Sequence, residues 1–89
     1  MKKTDWTLYI VSTEDGALYT GITTDLARRL KQHRQELAGG AKFFRRSPLA
    51  ALLYQEKHAD RRSASQREYA IKQLSKQQKL KLINDKTAS

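Results

Sequence analysis

Five residues carry side chains suited to phosphate chemistry: Tyr9, Tyr19, Arg29, His33 and Glu68. Tyrosine hydroxyls polarise water or bind phosphate oxygens. A guanidinium grips phosphate through a planar fork of N–H donors, and an imidazole beside it adds a polar group that titrates near neutrality. A lone carboxylate holds a hard cation such as Mg²⁺, which keeps most of its waters. The chain has no cysteine, which excludes disulfides and thiolate metal sites. Its two histidines, His33 and His58, argue against a multi-histidine zinc site.

The two tyrosines fall on consecutive strands. Residues 6–12, WTLYIVS, are aromatic and β-branched, and ALYTG at 17–21 forms a second short strand, so the pair reads as a hairpin. A two-residue Asp15-Gly16 turn would put the tyrosines on opposite faces. A three-residue Glu14-Asp15-Gly16 loop, with Gly16 left-handed, pairs Thr13 with Ala17 and sets Tyr19 against Val11 and Tyr9 against Gly21. The tyrosines are then diagonal neighbours on one face, roughly 7–8 Å apart at the backbone. Glycine at the last loop position favours this register. Strands favour aromatics, so two ordinary core tyrosines are the alternative.

The next stretch, TTDLARRLKQHRQEL, reads as a helix with Thr24 as N-cap, Asp25 in the first turn and Gly39-Gly40 as its stop. At about 100° per residue, with Leu26 at zero, Leu30 lies near 40°, Leu37 near 20° and His33 near −20°. Arg29 falls near −60°, on the border of this apolar stripe, and Arg28 near −160°, toward solvent. Arg29 and His33 therefore share one edge. A rim arginine lying along the apolar face and a satisfied core histidine are the alternatives.

Pro48 precedes LAALLYQE, a third strand whose alanines and leucines would also suit a helix. A second helix, RRSASQREYAIKQLS, opens with a Ser63–Gln66 capping box, and a Ser75–Gln78 box starts a third with Leu80 and Ile83 inward. Ala64, Ile71 and Leu74 form the inward stripe of the second helix. Glu68 borders that stripe and is the only acidic residue in a helix rich in Arg, Lys and Gln. Either it holds Mg²⁺ or it pairs with Lys72 at i+4. The element order is ββαβαα. This gives an α+β fold with a small antiparallel three-stranded sheet flanked by helices. Residues 1–84 form a single domain and 85–89 a frayed tail.

The bulk numbers agree with a polyanion partner. The 89 residues carry 18 Lys+Arg against 9 Asp+Glu, a formal charge of +9. That predicts attraction to nucleic acid without specifying sequence, with a ribosome-like or merely soluble basic surface as the alternative. The loop AKFFRRSP supplies the expected contacts Lys42, Phe43, Arg45 and Arg46, with an aromatic ring to stack on a base. Covering the core is the alternative task for Phe43 or Phe44. No apolar run is long enough for a membrane span, so a cytoplasmic monomer is expected, with room for a protein partner.

Taken in order, "LYI" around Tyr9, "YTG" from Tyr19 to Gly21, "DLARRLKQH" and the glutamate of "REYAIK" resemble the GIY-YIG nuclease superfamily. The likeness runs from Trp6 to about Ile83 and is nearest the small stand-alone bacterial proteins of the YhbQ-like group. The resemblance implies a nuclease that hydrolyses phosphodiester bonds, of DNA more than RNA, with one weakly bound divalent cation, Mg²⁺ or Mn²⁺. It places Tyr19 beside the attacked phosphate, Tyr9 at the nucleophilic water, Arg29 on the developing charge, Glu68 at the metal, His33 as an auxiliary polar group and Gly21 as the structural glycine. The first half-motif departs from the family by reading TLY, and the second by carrying threonine in its middle. Asn84 lies in the region of a family asparagine. A nucleic-acid-binding module with the same fold and weak or no catalysis is the competing reading, and a protein-interaction adaptor is a third.

Overall fold

The computed structural model describes residues 5–34, 39 and 47–88. In chain order these form β1 (Trp6–Thr13), β2 (Leu18–Thr23), α1 (Leu26–His33), β3 (Leu49–His58), α2 (Arg61–Lys72) and α3 (Lys76–Ala88). The expected Lys42, Phe43, Arg45 and Arg46 contacts, and Leu37, lie outside the described residues.

The hairpin adopts the three-residue loop. Gly16 N–H donates to Thr13 O and Thr13 N–H to Ala17 O, both at 3.0 Å. Gly16 sits at φ 89°, a left-handed conformation that glycine takes without steric cost. The resulting register pairs Tyr9 with Gly21 and Val11 with Tyr19. β1 is central, in the order β2-β1-β3, and both pairings are antiparallel.

Alternation along β1 splits the core between two faces. Leu8 and Ile10 pack with Tyr54, Ile71 and Ile83, so this face takes α2 and α3. Tyr9 and Val11 face the other way, against Tyr19, Leu26, Leu30, Leu49 and Leu52, so this face takes α1. The strand over 49–58 does not alternate cleanly, and the pairing gives the reason. Its register slips against Ile10/Val11 and again against Ser12/Thr13. Leu53 and Ala50 are thus left as bulge residues, which turns Leu53 to the same face as Tyr54.

Four local expectations change. Asp25, not Thr24, caps α1: its carboxylate accepts from Arg28 N–H at 3.1 Å. Asp60, not Ser63, caps α2, accepting from Ser63 N–H at 2.8 Å. A carboxylate at the positive end of a helix gains from the macrodipole as well as the hydrogen bond. The Ser75–Gln78 box of α3 forms as expected, with reciprocal bonds of 2.9 and 3.2 Å. On α3, however, Leu82 and Ile83 turn inward while Leu80 is 38% exposed. The helix continues to Ala88, past the expected tail boundary. Lys86 anchors it by lying 4.9 Å from the Tyr54 ring centroid and donating to Gln55 O.

A polar network binds β3 to α2. Glu56 accepts from Tyr54 Oη, from His58 Nε2 at 2.7 Å and from Arg67 Nε at 3.0 Å, and His58 Nδ1 lies 2.5 Å from Ser63 Oγ. Burial pushes the Glu56 carboxyl up, but the hydrogen bonds from Tyr54 and His58 and the Arg67 charge outweigh it, so the net shift is down. This network and the capping of α2 set the rotation of the helix that carries Glu68.

Candidate active site

The α1 face of the sheet gathers the aromatic residues. Tyr9 Oη and His33 Nε2 are hydrogen-bonded at 2.8 Å, a link between β1 and α1 across 24 residues of chain. The Tyr9 and Tyr19 rings lie 6.4 Å apart, and Tyr19 packs edge-on against His33 at 5.3 Å. The diagonal placement that the register requires is therefore formed.

Gly21 makes this packing fit. A Cβ at Gly21 would lie 2.5 Å from Tyr9 Oη and 2.7 Å from Cζ. The phenol passes directly over the glycine to reach His33. Here glycine is needed for close approach rather than for an unusual backbone angle.

Depth separates the cluster into two layers. Tyr9 and His33 are fully buried, whereas Tyr19, Arg29 and Glu68 are half-buried. Burial raises the Tyr9 phenol to about 12, against the lowering influence of a hydrogen bond from Arg29. Burial, then the Arg29 charge, lowers His33 to about 4. Both side chains are therefore neutral near pH 7. With the phenol buried and protonated, Tyr9 is not a solvent-facing phenolate base.

Arg29 borders the apolar stripe, as the wheel requires, and Arg28 is exposed. Both arginines nevertheless line one open concavity, together with Trp6, Asp25 and Gln32. Arg29 Nη1 donates to Gln32 Oε1 and to Gly39 O, each at 2.9 Å. Glu68, on α2, is near enough to raise the Tyr9 phenol by its negative charge. It also forms the i,i+4 ion pair with Lys72, at 3.1 Å.

No group of three or more His, Cys, Asp or Glu able to hold a metal occurs among the described residues. Glu68 is a single half-buried carboxylate on a helix whose Ile71 packs against the sheet face opposite α1, and its contact is Lys72. A lone carboxylate suits a hard, largely hydrated cation such as Mg²⁺ and does not suit zinc.

Sequence reasoning missed one neighbour of the cluster. Gln32 shares a helix edge with Arg29 at i+3, a spacing visible in the sequence, and accepts from Arg29 Nη1. Among the described residues no helix is long and apolar enough to cross a membrane.

Comparison with known proteins shows the family. A family model of the GIY-YIG catalytic domain matches residues 5–81. A UPF0213 protein of Yersinia enterocolitica is 49% identical over 84 residues, covering 94% of this chain and 84% of its own. A UPF0213 protein of Desulfotalea psychrophila is 50% identical over 78 residues, covering 88% and 70%. The solution structure of the E. faecalis protein EF2693 superposes with a TM-score of 0.62 at 30% identity, covering 97% of this chain and 91% of that one. That of the UPF0213 protein BH0048 from Bacillus halodurans superposes at 0.57 and 29% identity, covering 90% and 83%. The chain belongs to the GIY-YIG family and, within it, groups with the small UPF0213 proteins.

Proposed function

We propose that this protein is a nuclease that hydrolyses phosphodiester bonds in DNA with one divalent cation, Mg²⁺ or Mn²⁺. The observation that carries the reading is the cluster of Tyr9, Tyr19 and His33 with Arg29 one helical turn before His33. Tyr9 is hydrogen-bonded to His33 at 2.8 Å, Tyr19 packs against both rings, and Arg29 shares the helix edge of His33.

Each residue has a distinct task in this reading. Tyr19, the half-buried tyrosine, orients the attacking water. Arg29 meets the phosphate and stabilises the charge that develops on it. Tyr9 and His33 form the buried layer that holds Tyr19 in place. The neutral His33 imidazole accepts a hydrogen bond from the Tyr9 hydroxyl, leaving the phenol oxygen's lone pairs free to accept from Arg29. Glu68 would hold the cation, which when bound neutralises the leaving oxygen. Lys72 must release Glu68 first.

Substrate capture rests on the basic surface. Arg28 and Arg29 border one concavity, and α2 carries exposed Arg62, Tyr69 and Lys72, the last paired with Glu68. An exposed ring among cations suits unpaired bases. The basic residues of the 42–46 stretch add to the positive charge available for DNA.

A screen of flaps, forks, junctions, nicked duplexes and single strands with Mg²⁺ or Mn²⁺ tests the reading. Cleavage is expected for at least one structure and is lost in Arg29→Ala. Salt-sensitive binding indifferent to Mg²⁺ and to Glu68, with no cleavage, would favour the binding module instead.

A further inference from the structure

We propose that Gln32 and the Gly39 carbonyl form a clamp that positions Arg29 for its phosphate. The proposal rests on the reading of Arg29 as the phosphate-contacting group. Nη1 carries two hydrogens, and two acceptors meet it, Gln32 Oε1 and Gly39 O, each at 2.9 Å. One acceptor comes from the same helix and the other from a backbone ten residues further on.

The backbone at Gly39 fits this task. Its φ is +101°, in the left-handed region that L side chains rarely adopt. A Cβ there would lie 3.1 Å from Gln32 Nε2, tighter than ordinary contact. Glycine therefore permits both the backbone conformation and the close approach of Gln32.

The chemistry of the acceptors matters as much as their positions. Both are neutral amide oxygens, so they orient the guanidinium without cancelling its charge. A carboxylate in either place would pair with Arg29 and compete with phosphate. Gln32 is thus a positioning residue, acting through Arg29.

The test has a spectroscopic arm and a kinetic arm. In the full chain, without metal or nucleic acid, ¹⁵N spectra of the arginine side chains should give Arg29 Nη protons that rotate slowly and resolve separately. Gln32→Leu should average them, and Gln32→Glu, which keeps an acceptor, should restore them. Thermal unfolding of each variant checks the fold. In the kinetic arm, Gln32→Leu lowers kcat about 10–100-fold with little change in KM, a cost typical of a misaligned group. The Arg29→Ala, Gln32→Leu double variant should be no slower than Arg29→Ala alone. Arg29 signals indifferent to Gln32→Leu would overturn the clamp, as would a Gln32→Leu loss that adds in full to that of Arg29→Ala. If the unaltered chain cleaves nothing, the nuclease reading fails, and the spectroscopic arm still decides the clamp.

Discussion

Tyr9 occupies the space that the missing side chain of Gly21 leaves open. The two residues are paired across the β1–β2 ladder, and a Cβ on Gly21 would sit 2.5 Å from the Tyr9 hydroxyl. The Tyr9–His33 hydrogen bond therefore depends on a residue that makes no side-chain contact of its own. Gly21→Ala should destabilise the fold by about 1–3 kcal/mol, the usual cost of overpacking. It should also shift the His33 ring resonances, because the phenol must leave its place. Chemical denaturation and histidine NMR measure the two effects together, and an unperturbed His33 spectrum would count against the packing described.

The middle residue of the second half-motif is Thr20, and among the described residues its buried hydroxyl has no hydrogen-bond partner. Leaving such a group unsatisfied costs about 1–3 kcal/mol. Thr20→Val keeps the shape and removes the hydroxyl. It should raise stability by about 1 kcal/mol, seen as a higher urea midpoint at unchanged m-value. A fall in stability would mean that the hydroxyl is satisfied.

His33 makes stability depend on pH. Its folded pKa, about 4, lies below the 6.5 of the free side chain. The unfolded chain therefore takes up the proton first. Stability should be level above about pH 7 and fall as pH drops from about 6.5 to about 4, by roughly 2–3 kcal/mol in all. The lowered carboxyls of Asp15 and Glu56 contribute at the acid end of this window and below it. His33→Gln retains a polar partner for Tyr9 and should flatten the curve between pH 6.5 and 5. A variant curve as steep as that of the unaltered protein would place the titration elsewhere.

Lys72 competes for the carboxylate assigned to the metal. With its ammonium 3.1 Å from Glu68, any cation there must displace a like charge. Lys72→Gln should lower the Mg²⁺ concentration needed for half-maximal cleavage by a few-fold, because screened surface pairs are worth about 0.2–1 kcal/mol. Magnesium titration of cleavage reads this directly. An unchanged or raised requirement would argue that the cation does not sit on Glu68.

Much of this arrangement was legible in the sequence because single residues decided it. Gly16 at the end of the loop set the hairpin register, and the register set the tyrosines on one face. The helical wheel separated Arg29 from Arg28 and joined Arg29 to His33. Depth was less legible. Alternation gives the face on which Tyr9 lies but not that α1 seals it from solvent. Caps were misjudged where two good candidates stood close together, Thr24 beside Asp25 and Ser63 after Asp60. The bulges of β3 hid its alternation, since each extra residue inverts the pattern beyond it. The Gln32 contact was visible as an i+3 spacing, but its second half, the Gly39 carbonyl, required the folded chain.

The central claim is that Glu68 and Arg29 act on one phosphate. Cleavage of branched and single-stranded DNA by the unaltered chain and by Glu68→Gln, at matched Mg²⁺ and matched DNA binding, tests it most directly. The expected result is Mg²⁺-dependent cleavage by the unaltered chain and a loss of at least about 100-fold in Glu68→Gln, with folding and DNA affinity retained. Normal cleavage by Glu68→Gln, or no cleavage by the unaltered chain on any structure, would contradict it.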